Sequence, residues 1–123
     1  MVGEIKNFYD LEAWKKGHEL VLSVYKITKD FPREELFGIT SQLRRAVSSI
    51  TANIAEGFER YHFNDKKRFY HQSRGSVAEV QNFLLLAKDL NFISLVICKD
   101  LGEKANAIRR LINGLIKSIE NQK

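Results

Sequence analysis

The chain has 123 residues and a mass of 14.2 kDa, which is room for one domain whose core needs no metal or disulfide. Hydrophobic residues are 44% and charged residues 28%, the balance of a globular protein, and one proline with seven glycines argues against a turn-rich β fold. The net charge of +5 lies wholly in the second half, since residues 1–63 carry nine bases and nine acids while residues 64–123 carry eleven and six.

Four helical patterns follow in chain order. The first predicted helix spans about 11–29. Asp10 is placed as its N-cap, and Tyr9 and Trp14 are spaced as a hydrophobic staple across that cap. Leu11, Trp14, His18, Val21, Tyr25 and Thr28 step as a bundle seam, with Leu22 beside it. Phe31-Pro32 ends it, because the residue before proline avoids the α region. A short turn at 32–35 and a break at Gly38 follow.

The second predicted helix spans about 40–56, with Thr40 or Ser41 as cap and Gly57 as a left-handed stop. Leu43, Ala46, Val47, Ile50 and Ile54 form its apolar face. A second stripe holds Gln42, Arg45, Ser49, Asn53 and Glu56, and lysine is absent from the segment. An amide- and hydroxyl-rich stripe suits packing on another surface: a subunit interface, or a satisfied network inside one subunit with Arg44 or Arg45 paired to Glu56 or Glu79. A solvated face with weak ion pairs is the plainer alternative.

The third predicted helix spans about 65–90 behind an Asn64 cap, with a seam of Phe69, Ser73, Ser76, Val80, Phe83, Ala87 and Leu90. Gly75 among small residues suggests close approach of another backbone. The fourth spans about 95–119, with a seam of Cys98, Leu101, Ala105, Ile108, Ile112, Leu115 and Ile119. Short connections predict an all-α, antiparallel up-down-up-down bundle as one domain over residues 1–123, with helices crossing at roughly 20°.

Catalytic and metal chemistry find no support in the spacing. His18 falls on a seam, and His62 and His71 are nine residues apart, not the i, i+4 of a helical metal pair. The two Glu-x-x-His motifs of a di-iron bundle are not both present, since Glu59–His62 is a single copy, and a glycine-rich phosphate loop is absent. The lone Cys98 reads as core filler, precludes an intramolecular disulfide and suits a reducing compartment. The opening MVGEIKNFYDLEAWKK lacks a signal-peptide pattern, and no apolar run approaches the ~20 residues of a membrane span. The expectation is a cytoplasmic protein that is not an enzyme and has no cofactor, no metal and no membrane partner.

Residues 60–74 interleave cations with rings. Arg60, Tyr61, Lys66, Lys67, Arg68, Tyr70, His71 and Arg74 are candidates for nucleic-acid contact, with Arg109 and Arg110 adding charge from the fourth helix. Within this set, Lys67, Tyr70, His71 and Arg74 should share a face. The plainer reading is a solvated loop and helix start. Lysines in a first turn oppose the helix dipole, which favours a purpose beyond folding.

Several blocks together carry a resemblance. FYDLEAWKKGHEL presents Phe8, Asp10, Leu11 and Trp14, and VYKITKDFP presents Tyr25, Thr28, Phe31 and Pro32. QLRRAVSSITANIAEG presents Gln42, Arg44, Arg45, Ala46, Ser49, Ile50, Asn53, Ile54, Ala55, Glu56 and Gly57. RFYHQSRGSVAEV adds Phe69, Arg74, Gly75, Ser76 and Glu79. Over nearly its whole length the chain resembles the bacterial four-helix-bundle proteins called 23S ribosomal RNA intervening-sequence proteins. Thr51 stands where that family often has proline, Gly17 where it often has alanine, and Gln72-Ser73 where it is usually more apolar.

The resemblance implies an all-helical subunit of a homopentamer with no established enzymatic activity. It also implies likeness to the accessory protein of diversity-generating retroelements, a basic pentamer that binds nucleic acid and a reverse transcriptase. The expected function is therefore association with RNA or DNA through the basic, aromatic-containing surface. The alternative is a scaffold for another protein with no nucleic-acid role. Gln42, Arg44, Arg45, Ser49, Asn53, Glu56, Gly75, Ser76 and Glu79 are the expected assembly or structural network.

Overall fold

The computed structural model describes residues 4–122. Four helices make up the fold: α1 (Glu12–Thr28), α2 (Ser41–Glu59), α3 (Phe63–Asp89) and α4 (Leu95–Gln122). No strand occurs among the described residues. Contacts between neighbouring helices run in opposite sequence directions. Gly17 meets Thr51, and Arg44 donates to Thr28. Ser73 reaches Ile50 while Lys66 reaches Phe58, and Lys67 reaches Glu120 while Arg74 reaches Asn113. Each helix is therefore antiparallel to the next, and α4 closes the bundle against α1.

The start of α1 differs from its sequence pattern. Asp10 ends a 3-10 turn at Phe8–Asp10, where its carboxylate accepts the Asn7 N–H at 3.3 Å, and Leu11 takes the N-cap position without a side-chain cap. Phe8, not Tyr9, packs edge-on against Trp14, with centroids 5.6 Å apart. The buried stripe is Ala13, Gly17, Leu20, Val24 and Thr28, one residue off the expected seam at most turns. Trp14 and Val21 flank it half-buried, Tyr25 is exposed, and His18 lies outside, stacked on Trp14 at 4.7 Å. Close approach of α2 explains the rotation. A Cβ on Gly17 would sit 2.9 Å from Thr51 Cγ2, so small residues must face inward here. Gly17 and Thr51 thus meet in space.

Between α1 and α2 the chain makes a 3-10 turn at Arg33–Glu35 and a π turn at Leu36–Thr40, kinked at Gly38 (φ −107°, ψ −120°). Neither Thr40 nor Ser41 caps α2 through its side chain, because the turn runs straight into the helix and the Ser41 N–H already donates to the Gly38 carbonyl. The apolar face of α2 is as expected, with Leu43, Ala46, Val47, Ile50 and Ile54 all buried.

Gly57 does not stop α2. No glycine among the described residues has a positive φ, and the helix continues to Glu59. Its lack of a side chain serves packing instead, since a Cβ there would lie 2.6 Å from Tyr70 Cε1 and 3.2 Å from the Lys66 carbonyl oxygen.

α3 starts two residues earlier than its pattern suggests, with His62 rather than Asn64 at the N-cap position. Its core face is Tyr70, Ser73, Ser76, Val77, Val80, Leu84 and Ala87. Phe69 and Phe83 are half-buried and Leu90 is exposed. The two buried serines let α2 come close and then bond to it. Ser73 Oγ donates to the Ile50 carbonyl at 2.7 Å, and Ser76 Oγ to Ser49 Oγ at 2.9 Å. Gly75 plays no such part, since nothing lies within 4 Å of where its Cβ would be.

The helix ends on a Schellman motif. Asn91 takes the left-handed position (φ 64°), and the Phe92 N–H donates to the Ala87 carbonyl at 2.8 Å. Ser94 Oγ then accepts the Ile97 N–H at the start of α4. The core face of α4 is as expected except that Ile116 replaces Leu115 as the fully buried residue, and the helix runs three residues further, to Gln122.

Candidate nucleic-acid interface

The ten residues nominated for nucleic-acid contact divide into three groups. Two belong to the fold. Tyr70 is 3% exposed, and burial pushes its phenol up to about 12, so it cannot stack on a base. Sequence spacing put it with Lys67, His71 and Arg74, but its ring turns inward over Gly57. Lys66 reaches back to the end of α2, where its ammonium donates to the carbonyls of Phe58 at 2.6 Å and Gly57 at 3.3 Å. That contact satisfies the orphan Phe58 carbonyl of the helix end and adds a second donor to the Gly57 carbonyl, which also accepts the Arg60 N–H. Burial lowers the Lys66 ammonium below its usual value, and Glu59 opposes the shift. The awkward charge of a lysine in a first turn is thus explained by capping.

A second group surrounds the α2–α3 corner. Tyr61 is 88% exposed, the second highest among the large hydrophobic residues after Phe37. Arg60 and Arg68 lie over the Phe69 ring, at 4.7 and 4.5 Å from its centroid. These cation–π contacts hold both guanidiniums near one ring. Arg60 also pairs with Glu56 at 3.1 Å, which neutralises part of its charge.

The third group lines the seam between α3 and α4. Lys67 approaches Glu120 at 3.8 Å, and Arg74 Nη1 donates to Asn113 Oδ1 at 2.8 Å. Arg109 donates to Asn106 Oδ1 at 2.6 Å and to Gln81 Oε1. Arg110 and Lys117 fall at three- and four-residue steps between Asn106, Asn113 and Glu120, so they continue the stripe. Neither has a partner among the described residues. His71 Nδ1 and Arg74 Nη2 are 2.9 Å apart. Desolvation lowers the His71 imidazole, Arg74 and Lys67 add to that shift, and Glu120 opposes it, so neutral His71 accepts from Arg74. Five cations thus share this stripe with two carboxylates, Glu120 and Glu103, and both paired arginines are held by amides. An amide fixes a guanidinium in place without cancelling its charge.

Among the described residues, no group of three or more His, Cys, Asp or Glu could hold a metal ion. No helix among them is long and apolar enough to cross a membrane. Cys98 is buried, with its thiol facing the Leu84 carbonyl at 3.6 Å.

The sequence model of the 23S rRNA-intervening sequence proteins matches residues 9–114. The chain belongs to that family. The matched span covers all of α1 to α3 and most of α4, so the family pattern is the bundle itself. A crystal structure from Bacteroides thetaiotaomicron, described as a protein of unknown function from the S23 ribosomal protein family, has the same fold. It superposes with a TM-score of 0.79 at 21% identity, covering 85% of this chain and 98% of that one. No curated protein matches the chain.

In this member of the intervening-sequence protein family, the polar stripe of α2 separates into several contacts. Arg44 Nε donates to Thr28 Oγ1 at 2.9 Å, and its guanidinium lies 4.8 Å from the Tyr25 ring centroid. Arg45 bonds Gln42 at 2.6 Å. Ser49 accepts from Asn53 and from Ser76 within the subunit, so these three form an internal network and not an outward face. The expected pairing of Arg44 or Arg45 with Glu56 or Glu79 does not form. Glu56 is taken by Arg60, and Glu79 has no partner among the described residues. Gln42, Arg45, Glu56, Gly75 and Glu79 remain exposed.

Proposed function

We propose that this protein is a non-enzymatic, homo-oligomeric RNA-associated protein whose α3–α4 stripe lies against the RNA backbone. One observation carries the reading. Lys67, Arg74, Arg109, Arg110 and Lys117 share one seam with only two carboxylates, Glu120 and Glu103, and Arg74 and Arg109 are oriented by Asn113, Asn106 and Gln81. Cations fixed by neutral partners keep their charge for a polyanion. Tyr61, exposed beside Arg60 and Arg68, supplies a ring for an unpaired base. The family's description, which names 23S rRNA, makes RNA the first polyanion to test.

The test is a fluorescence titration of nuclease-treated protein with mixed-sequence single-stranded RNA at two salt concentrations. Neutralising about four phosphates gives a slope of about −2.8 in log K against log salt, so affinity should fall about 50-fold from 50 to 200 mM. Changing both Arg74 and Arg110 to Gln should flatten that slope by about 1.4. Absence of binding at ~50 mM salt would overturn the reading. A single protein that co-purifies regardless of nuclease would then favour the scaffold alternative.

A further inference from the structure

Two exposed apolar features at one end of the bundle remain without a partner. The first is a knob. Phe37, in the π turn before α2, is 92% exposed and stands beside the exposed Leu36. The second is a groove of about 550 Å³ between α3 and α4, floored by Leu85, Leu95 and Cys98. Leu85 and Leu95 keep 53% and 54% of their surface exposed. Apart from Cys98, none of these side chains belongs to the buried core. A phenylalanine at a loop tip costs solvation and gains nothing until something covers it.

The two features are on opposite sides of the molecule. Phe37 belongs to the α1–α2 face, where it borders a cleft with Tyr25 and Arg45. The groove belongs to the α3–α4 face. With the helices packed in the cyclic order α1, α2, α3, α4, a chain cannot place its own knob in its own groove. A second copy can.

We propose that Phe37 of one copy seats in the Leu85–Leu95 groove of a second copy, so that the α1–α2 face of each protomer packs on the α3–α4 face of the next. The inference rests on the homo-oligomeric part of the function proposed above and names the surfaces that make the contact. Charge supports the pairing at two heights when the copies stand side by side with parallel axes. At the height of the connecting turns, Glu34 and Glu35 precede the knob, and Lys99 borders the groove beside Lys88, which is paired with Asp89 at 3.2 Å. About one helical turn below Lys99 the groove carries Glu103, and Arg45 sits one turn into α2. Acid thus meets base at the upper level and base meets acid at the lower one. Tyr25 and Arg45 beside the Phe37 knob also fit the usual composition of a protein-interface centre. Because the two surfaces differ, the contact is heterologous. Repetition closes into a ring or extends as a filament.

The experiment measures mass by analytical ultracentrifugation of nuclease-treated protein at ~50 µM, a concentration chosen to populate contacts of micromolar Kd. Phe37→Asp removes the knob and leaves the groove. Leu85→Glu, with Leu95→Glu as a second groove variant, removes the groove and leaves the knob. All three positions are at least half exposed, so helical circular dichroism should be unchanged. The wild type should assemble, and each variant alone should sediment as a single chain. An equimolar mixture of Phe37→Asp with a groove variant should form a capped 1:1 pair, since one intact knob and one intact groove remain. A monomeric wild type would overturn the oligomer reading and this inference together. Wild-type assembly that Phe37→Asp leaves unchanged would overturn this inference alone. Two monomeric variants that stay monomeric on mixing would overturn the heterologous pairing.

Discussion

Gly57→Ala is the substitution that most sharply separates packing from helix propensity. Gly57 has helical neighbours on both sides and no positive φ, so propensity alone favours alanine there by about 0.5–1 kcal/mol. Packing opposes it. The new methyl would lie 2.6 and 2.8 Å from two carbons of the Tyr70 ring and 3.2 Å from the Lys66 carbonyl oxygen. The ring is buried and the carbonyl is backbone, so neither can give way by a simple rotation. Overpacking of this kind costs about 1–3 kcal/mol. After subtracting the propensity gain, Gly57→Ala should destabilise by about 1–2 kcal/mol, a fall in melting temperature of about 3–8 °C for a domain of this size. Gly75→Ala is the matched control. It lies inside α3 with nothing within 4 Å, so it should stabilise by about 0.5–1 kcal/mol. Urea and thermal unfolding followed by circular dichroism would measure both. Shrinking the ring with Tyr70→Leu should make Gly57→Ala less costly than it is in the wild type. A Gly57→Ala protein as stable as the wild type, or cost unaltered by Tyr70→Leu, would refute the packing argument.

Two further outcomes follow from the corrected roles of residues at the α2–α3 corner. Burial raises the Tyr70 phenol from its ordinary 10 to about 12, so the folded state favours the protonated form. That preference is harmless below pH 10 and is lost as pH rises through 12, removing about 2–3 kcal/mol of stability. Alkaline unfolding of the wild type should steepen across this window, whereas Tyr70→Phe should not; identical pH profiles would contradict the assignment. Lys66→Met should lower stability by about 0.5–1.5 kcal/mol by uncapping the α2 carbonyls, yet leave the salt slope of RNA binding unchanged. A flatter slope would restore Lys66 to the interface.

Legibility varied with the kind of residue that marks each helix face. The inner face of α4 could be read almost entirely, because isoleucine and leucine repeat at strict bundle spacing and only the choice between Leu115 and Ile116 was misplaced. On α1 the same logic selected the largest side chains, Trp14 and Tyr25, and passed over Ala13 and Gly17. Hydrophobic periodicity ranks residues by size, but a close helix crossing needs the smallest ones inside. The serines of α3 were placed correctly by spacing and the tyrosine was not. The sequence nominates Tyr70 as a ring for stacking on a base, whereas that ring turns inward over Gly57. Gly57 gave a true signal with the wrong cause: glycine was required, but for a ring thirteen positions later, not for a turn.

Charge was harder to read than apolar packing because the partner that decides a cation's role is distant in sequence. Lys66 looked like a candidate for phosphate until the carbonyls eight and nine residues behind it came into reach. Arg74 is held by Asn113, 39 positions away, and Arg109 by Gln81, 28 positions away. Neither amide attracts notice in the sequence. Yet these amides separate a structural ion pair from a cation kept available. The basic excess of the second half was visible from composition; its concentration along one seam arises only when α4 folds back antiparallel on α3. That fold places the Lys67–Arg74 end of the stripe away from the Leu85–Leu95 groove, while Arg109 is held by Gln81 and Asn106, which line it. A copy seated in the groove through Phe37 would run alongside the stripe. The lower end of that copy's α2, with Arg60 and Tyr61, would come beside it. The basic-aromatic residues that the sequence groups and the single fold separates would then meet again across two chains.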